Sequence, residues 1–429
     1  MTTVAEGSAA RVRAAANAQA VTRVALLGVG QVGGAVAALL RQEPLARNFT
    51  VISGLVRDAS RVRPLAGDIP LGADPHLALA DDPDVVIEAL GGLEPARSLV
   101  LEALRRGIPV VTANKSLLAA HGDALFAAAA AHGVPLRYEA AVLAGVPFLG
   151  TFTARPLARA ITGFTGIVNG TTNFILSRMA AERAPFAGAL ADAQRRGYAE
   201  PDPASDVNGV DAAEKLCVLL RHFGSFSVRP ADLQPQGISA LTDGDLRAAA
   251  DLGGVLKPIV YADWTDGRLC AFTGPAFVRA GQPLARVDGV QNAILIRNRI
   301  AGDLLFAGAG AGPQPTAATL IDDAVEIARG TAPIPTAADS QLRRVRPQQP
   351  DTPWFVRVSG SALPTDVEIA ELLGRYDVRV RRRLDGAERT RWLVADASPA
   401  ACIDAALSAL TASRGCQTFR ARVLPLSAA

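Results

Sequence analysis

The sequence predicts an α/β chain: a parallel-sheet unit first, an α+β unit in the middle and a βαββαβ unit at the end. Three observations predict it. Short buried-strand runs, beginning with Val24–Leu27, alternate with helical patterns as far as about Pro147, and such alternation implies a parallel sheet with right-handed crossovers. After Pro147 come β-branched runs broken by Gly and Pro, the pattern of antiparallel strands. Beyond a polar, proline-bearing stretch the apolar pattern reads strand, helix, strand, strand, helix, strand. A chain of 429 residues has room for two or three domains at about 150 residues each. The expected division is a disordered tail at 1–20, a first domain at 21–147 completed by 308–340, a second at 148–307, a linker at 341–350 and a third domain at 351–429.

Each element has its own reason. The segment V-T-R-V-A-L-L-G-V-G-Q-V-G-G-A-V sets glycines at 28, 30 and 33 between a buried strand and an apolar helical pattern. Gly28 allows the tight turn, Gly30 lets backbone approach a pyrophosphate and Gly33 permits close helix packing. With Val29, Gln31 and Val32 completing the loop at a helix N-terminus, this is a dinucleotide fingerprint of the Rossmann type. A second strand is expected from about Phe49 to Val56. Its end offers Ser53, Gly54 and then Arg57, with Asp58 adjacent; Arg57, with Arg61 or Arg63, suits a 2′-phosphate, so NADP is expected over NAD.

A strand at Val85–Ala89 runs into Leu90, Gly91 and Gly92 and then a helix from about Glu94 to Arg106. The strand Pro109–Val111 ends at Asn114 and Lys115, at the carboxyl end where ligands of open parallel sheets lie. A helix around Asp123–His132 and a fifth strand, L-R-Y-E-A-A-V, complete the unit. In the second domain two antiparallel strands are expected within T-F-T-A-R-P-L-A-R-A-I-T-G-F-T-G-I-V, followed by Asn169–Thr172 as the turn and cap of a helix Asn173–Ala181. Past Leu305 the G-A-G-A-G-P loop, with Gly312, enters a helix expected to pack back on the first domain. The third domain reads strand Trp354–Val358, helix Asp366–Gly374, strands Asp377–Arg383 and Arg391–Ala395, helix Pro399–Ser413 and strand Phe419–Val423, a ferredoxin-like order.

Charge excludes some partners. With 44 basic and 41 acidic side chains, nothing global points to nucleic acid or an anionic membrane. The basic run Arg379, Arg381, Arg382 and Arg383 reads as one solvated sheet face. Uncharged stretches such as Ala140–Ala154 are interrupted by Gly and Pro and read as packed backbone, with no membrane span. The four cysteines, Cys217, Cys270, Cys402 and Cys416, lack CxxC or Cys/His spacing, which suits a reduced cytoplasm and argues against structural zinc. The first twenty residues hold Glu6, Arg11 and Arg13 without an apolar h-region, so they read as a tail and not a signal peptide, an organelle-targeting segment being the alternative.

The densest chemistry lies in R-G-Y-A-E-P-D-P-A-S-D-V-N-G-V-D-A-A-E-K-L. Pro201 and Pro203 hold Glu200 and Asp202 on an irregular loop. Asp211 and Lys215 are four apart, so a helix from about Val210 puts a carboxylate and an ammonium on one face while Leu216, Leu219 and Leu220 cover the buried side. Taken alone, the stretch also fits an ordinary solvated helix start with an acidic first turn.

Taken in order, G-V-G-Q-V-G, E-A-L-G-G, V-T-A-N-K, Y-E-A-A-V with A-G-V-P, G-I-V-N-G-T-T-N-F-I-L, the acidic stretch and G-A-G-A-G-x-x-P-T resemble the homoserine dehydrogenases from about Val21 to Arg329. The resemblance implies reversible NAD(P)-dependent interconversion of L-homoserine and L-aspartate 4-semialdehyde, a step of threonine and methionine biosynthesis, with the second domain catalytic and dimerising. It implies Lys215 as the acid/base lysine, Lys115 as a second lysine near the nicotinamide, Glu200 and Asp211 as substrate-binding residues, and Asp206 as support for the lysine or an ordered water. Two lysines in one partly dehydrated cleft would each lower the other's pKa. On the cofactor side it implies Gly28, Val29, Gly30, Gln31, Val32, Gly33, Arg57, Leu90, Gly91, Lys115 and Gly312. A monovalent cation, sodium or another hard ion, would take Glu139, Val142, Ala144 and Val146. His76, His121, His132 and His222 lie outside these motifs, as surface or helix-end residues.

The carboxy-terminal unit resembles an ACT domain whose D-x-P-G turn has become S-G-S-A-L-P-T-D, Ser359–Asp366. A threonine effector and a purely assembling role are both open, and a homodimer or higher homo-oligomer is expected. Leu90 and Leu143 depart from the family pattern. They leave one alternative, a divergent member acting on a related amino alcohol or semialdehyde; a second is a non-catalytic nucleotide-binding regulator in which the ACT-like unit does the sensing.

Overall fold

The structure is a computed structural model that describes residues 21–153, 160–340, 342–361, 363–386 and 389–425; the expected tail at 1–20 lies outside them. In chain order the strands are β1 (Thr22–Leu27), β2 (Phe49–Leu55), β3 (Leu71–Gly72), β4 (Val85–Glu88), β5 (Val110–Thr112), β6 (Leu136–Arg137), β7 (Ile161–Ile167), β8 (Phe226–Ser227) and β9 (Gly254–Asp263). They continue with β10 (Cys270–Arg279), β11 (Gln291–Asn298), β12 (Gly302–Ala309), β13 (Arg343–Arg344), β14 (Thr352–Ser359), β15 (Val380–Asp385), β16 (Thr390–Ser398) and β17 (Gln417–Val423). The chain forms two compact units: unit 1 comprises 1–160, 217–229 and 309–344, and unit 2 comprises 161–216, 230–308 and 345–429.

Unit 1 holds a six-stranded sheet in the order β3-β2-β1-β4-β5-β6, every pairing parallel. That is the doubly wound dinucleotide-binding order, with its switch point where β1 stands between β2 and β4. The strands are apolar on both faces because helices cover both: on one face Val24, Leu26, Val85 and Ile87 share a core with Val36 and Leu40 of helix Gln31–Leu40 and with Ala317, Leu320 and Ala324 of helix Pro313–Ala328, while helices Ala96–Arg105 and Lys115–His132 pack on each other and on β4, β5 and β6.

Three local expectations change. The helix expected around Asp123 begins at Lys115, because the Asn114 side chain caps it by accepting from the Leu117 amide. The fifth strand stops at Arg137 and gives way to a 3-10 turn, Glu139–Ala141. The first expected antiparallel strand, T-F-T, is instead the end of a short helix, Leu149–Thr153. The reason is a carboxylate far upstream in sequence: Glu139 accepts the amides of Phe148, Leu149 and Gly150 at 2.7, 2.8 and 2.8 Å, which are orphan donors of a helix N-terminus. The linking residues 154–159 lie outside the described residues.

Unit 2 is built on a nine-stranded sheet, β12-β11-β7-β9-β10-β17-β14-β16-β15. Its last four strands, with helices Asp366–Gly374 and Ala400–Arg414, are the ferredoxin-like unit. The expected third domain is not separate. Strand β17 pairs in parallel with β10 through Ala276↔Arg422 and Phe277↔Val423, and Phe355, Trp392, Phe419 and Val423 share one core with Phe174, Leu246 and Phe277. Burying each such aromatic side chain contributes roughly 2–3 kcal/mol. The expected linker is pinned too: Arg343–Arg344 pair with Phe226–Ser227, and Arg422 donates to the Pro350 carbonyl.

Candidate active site

In unit 1 the glycine turn after β1 is set by backbone packing. Gly28 has φ +97°, and a Cβ there would stand 2.6 Å from the Ala89 carbonyl oxygen; a Cβ on Gly33 would come 1.8 Å from the Gly28 carbonyl oxygen. Gly30 is different: a Cβ there meets nothing within 4 Å, so the space above it and the amides that open helix Gln31–Leu40 are free for a pyrophosphate. Val29 is buried in the core and offers that space only backbone, whereas Gln31 is exposed. Arg57 lies exposed just past the end of β2. Gly312, at φ +121°, caps helix Pro313–Ala328.

The turn after β4 carries Leu90, half-buried, and Gly91 and Gly92 at φ +73° and +70°. Beneath it Glu88, fully buried, accepts from the Leu90 amide at 2.8 Å, from Thr112 Oγ1 at 2.5 Å and from Asn114 Nδ2 at 3.3 Å. Burial pushes its carboxyl above the usual range, while these hydrogen bonds oppose the shift. Lys115, half-buried, is the first residue of the helix Asn114 caps.

The four residues assigned to a cation are all buried. The Ala144 carbonyl accepts from Thr319 Oγ1. Leu143 is fully buried, its carbonyl accepting from the Val146 amide, so its bulk is absorbed by the core. Arg137 pairs with Asp323 at 3.0 Å. Burial is the main cause that raises Asp323 to about 7, with nearby Glu139 and Glu326 adding to it against the pull of Arg137.

The part of helix Val210–Gly224 that belongs to unit 2 carries Asp211 and Lys215, both buried. Lys215 Nζ lies 3.0 Å from Asp211 Oδ2 and donates to the Val168 carbonyl at 2.7 Å. That occupies two of its three donors; the third has no protein partner among the described residues. The organiser is Asn169, N-cap of helix Gly170–Glu182. Its Oδ1 accepts the Thr172 amide, and its Nδ2 donates to Asp206 Oδ1 at 2.7 Å and Asp211 Oδ2 at 2.8 Å. Two carboxylates thus converge on one asparagine, and one of them, Asp211, holds the lysine. Glu200 stands apart from this cluster on the exposed loop between helices Phe186–Arg195 and Ala204–Val207, where its carbonyl accepts from Gln194 Nε2. Asp202 caps the following turn through the Ala204 amide.

Sequence reasoning missed two participants. Asn169 was read only as a cap; the signal available was that two nearby carboxylates need a donor. Glu88 left no signal beyond being an acid at the end of an apolar strand.

A glycine-built turn at the switch point of a 3-2-1-4-5-6 parallel sheet is a dinucleotide site, and a buried lysine braced by carboxylates is equipment for moving a proton. Together they define an NAD(P)-dependent oxidoreductase. Residues 28–139 match the family profile "Homoserine dehydrogenase, NAD binding domain", and residues 147–325 match "Homoserine dehydrogenase". The chain is 37% identical to the homoserine dehydrogenase of Bacillus subtilis over 315 residues, covering 71% of this chain and 72% of that one, and 39% identical to that of Mycobacterium tuberculosis over 322 residues, 71% and 72% respectively. The crystal structure of a homoserine dehydrogenase from Thiobacillus denitrificans superposes with a TM-score of 0.86 at 33% identity, covering 94% of this chain and 98% of that one. The chain belongs to the homoserine dehydrogenase family, and its activity is that of an NAD(P)-binding homoserine dehydrogenase. Among the described residues no helix is long and apolar enough to cross a membrane.

Proposed function

We propose that Lys215 is the acid/base of the interconversion of L-homoserine and L-aspartate 4-semialdehyde, that Asp211 and Glu200 serve the substrate, and that Asp206 supports the lysine site. The observation that carries this reading is the third donor of Lys215, left over after Val168 and Asp211 have taken the other two. When bound, NAD(P)H supplies the hydride. In the reducing direction the Lys215 ammonium gives a proton to the oxygen on which negative charge develops, leaving a neutral amine that regains its proton from solvent. In the oxidising direction the neutral amine takes the hydroxyl proton. Asp211, 3.0 Å from Lys215, holds the ammonium in place and stabilises its charge. Asp206 shares Asn169 with Asp211 and keeps that carboxylate fixed. Glu200, exposed on its loop, takes the substrate ammonium. Lys115 stands at the cofactor side.

NADP is the favoured cofactor, because Arg57 comes before any acid after β2 and the next residue, Asp58, has its carboxylate engaged by the Ser60 amide and hydroxyl. The cation set fits a hard monovalent ion. Glu139 has three amide donors against about four lone-pair sites, and the Ala144 carbonyl has one donor against two, so Glu139, Val142, Ala144 and Val146 would hold the ion and steady that loop. None of the four cysteines is in a disulfide, which suits the cytoplasm. The loop before helix Asp366–Gly374 ends in a capping box, Thr365 with Glu368, in place of a D-x-P-G turn that would present its amides to a ligand. We therefore assign the carboxy-terminal unit to assembly of a homodimer, without threonine binding. NADPH oxidation by aspartate 4-semialdehyde, compared with NADH, with added threonine and with Lys215→Ala, tests these assignments. Wild-type turnover that persists in Lys215→Ala rejects the acid/base role.

A further inference from the structure

The carboxylate of Glu88 belongs to none of the roles above. It is fully buried, sits at the carboxyl end of β4, and among the described residues pairs with no lysine, arginine or histidine. Burying an anion without a counter-charge is costly, and a well-packed apolar residue would serve a strand end better. What surrounds it is a set of donors from two ligand-side loops. Oε1 accepts the Leu90 amide at 2.8 Å and Asn114 Nδ2 at 3.3 Å, and Oε2 accepts Thr112 Oγ1 at 2.5 Å.

Those partners reach further. Asn114 Nδ2 also donates to the Gly92 carbonyl at 2.7 Å, Thr112 Oγ1 accepts the Asn114 amide at 2.9 Å, and Asn114 Oδ1 caps the helix that begins at Lys115. We infer that Glu88 is a positioning residue that locks the Leu90–Gly92 turn of the dinucleotide site and the start of the Lys115 helix into one fixed relation. The Leu90 and Asn114 nitrogens can only donate, so the ionised form is the one this set of partners holds, against the upward push of burial. A buried carboxylate favours the charged form of cations near it, which is what a pH profile reads. Leu90 takes part through its amide, so its side chain does not enter the contact.

The inference rests on the reading of Lys115 as a cofactor-side lysine, and the test separates the two. Glu88→Gln keeps the volume, one acceptor oxygen and a donor that Thr112 Oγ1 can receive; Thr112→Val removes only the hydroxyl bridge. For Glu88→Gln we expect NADPH affinity, titrated directly, to fall about tenfold, kcat/KM to fall at least as much, and the basic limb of its pH profile to move to lower pH. Thr112→Val gives the same signs, smaller, and decides the matter if Glu88→Gln does not fold. Unchanged NADPH affinity overturns the inference, and so does weakened affinity with an unmoved basic limb, which leaves Glu88 propping the turn alone. Lys115→Ala run in parallel with full turnover discards the role of Lys115, not the hold of Glu88 on the turn.

Discussion

The glycine turn of unit 1 and the lysine cluster of unit 2 are made of different material. The first is backbone: Gly28 and Gly33 allow chain to meet chain at distances no side chain permits, and Gly30 leaves a ligand its room. The second is side chain: Asn169 bridges Asp206 and Asp211, and Asp211 braces Lys215. A backbone-built site fails by steric intrusion and tolerates changes of charge. A side-chain-built site fails when one partner leaves the others buried and unsatisfied.

The largest expected effect breaks the backbone half. In Gly33→Ala the new methyl lies 1.8 Å from the Gly28 carbonyl oxygen, so the turn must move; NADPH binding measured by fluorescence falls beyond detection, and stability drops by about 1–3 kcal/mol. Next, Asn169→Ala strips a cap and both carboxylate bonds, and kcat falls about a hundredfold, or about 2.7 kcal/mol at 1.36 kcal/mol per tenfold, with NADPH affinity unchanged. Gly30→Ala sharpens the contrast. Its Cβ meets no protein atom within 4 Å, so melting is unaltered and only NADPH affinity declines, by about tenfold or less, reading the ligand's own space. The smallest effect is a pH dependence. Because burial raises the Glu88 carboxyl above its ordinary 4.5, the stability tied to its protonated form is present below that value and is lost as pH rises through the folded value. Urea unfolding from pH 4 to 8 should therefore decline more for wild type than for Glu88→Gln.

How legible the sequence is follows the same division. Gly28, Gly30 and Gly33 announce themselves because a backbone requirement leaves no choice of residue. Asp211 and Lys215 are visible as a four-residue helical spacing, and all six elements of the carboxy-terminal unit are visible as periodicity. Long-range partnerships are hidden. The T-F-T segment reads as a strand because its propensity is local, while the carboxylate that makes it helical, Glu139, lies 9 to 11 residues before the amides it caps. The joining of β17 to β10 is a pairing between residues such as Phe277 and Val423 that no local pattern records. Glu88 is hidden most completely, since its partners come from the ends of two different strands.

The measurement that tests the division most directly is NADPH titration into Lys215→Ala beside its turnover with aspartate 4-semialdehyde. If the halves are built independently, the dissociation constant stays within about twofold of wild type while kcat falls by 10²–10⁴, the range of general acid–base catalysis. Near-wild-type kcat, or NADPH affinity lost together with turnover, would contradict it.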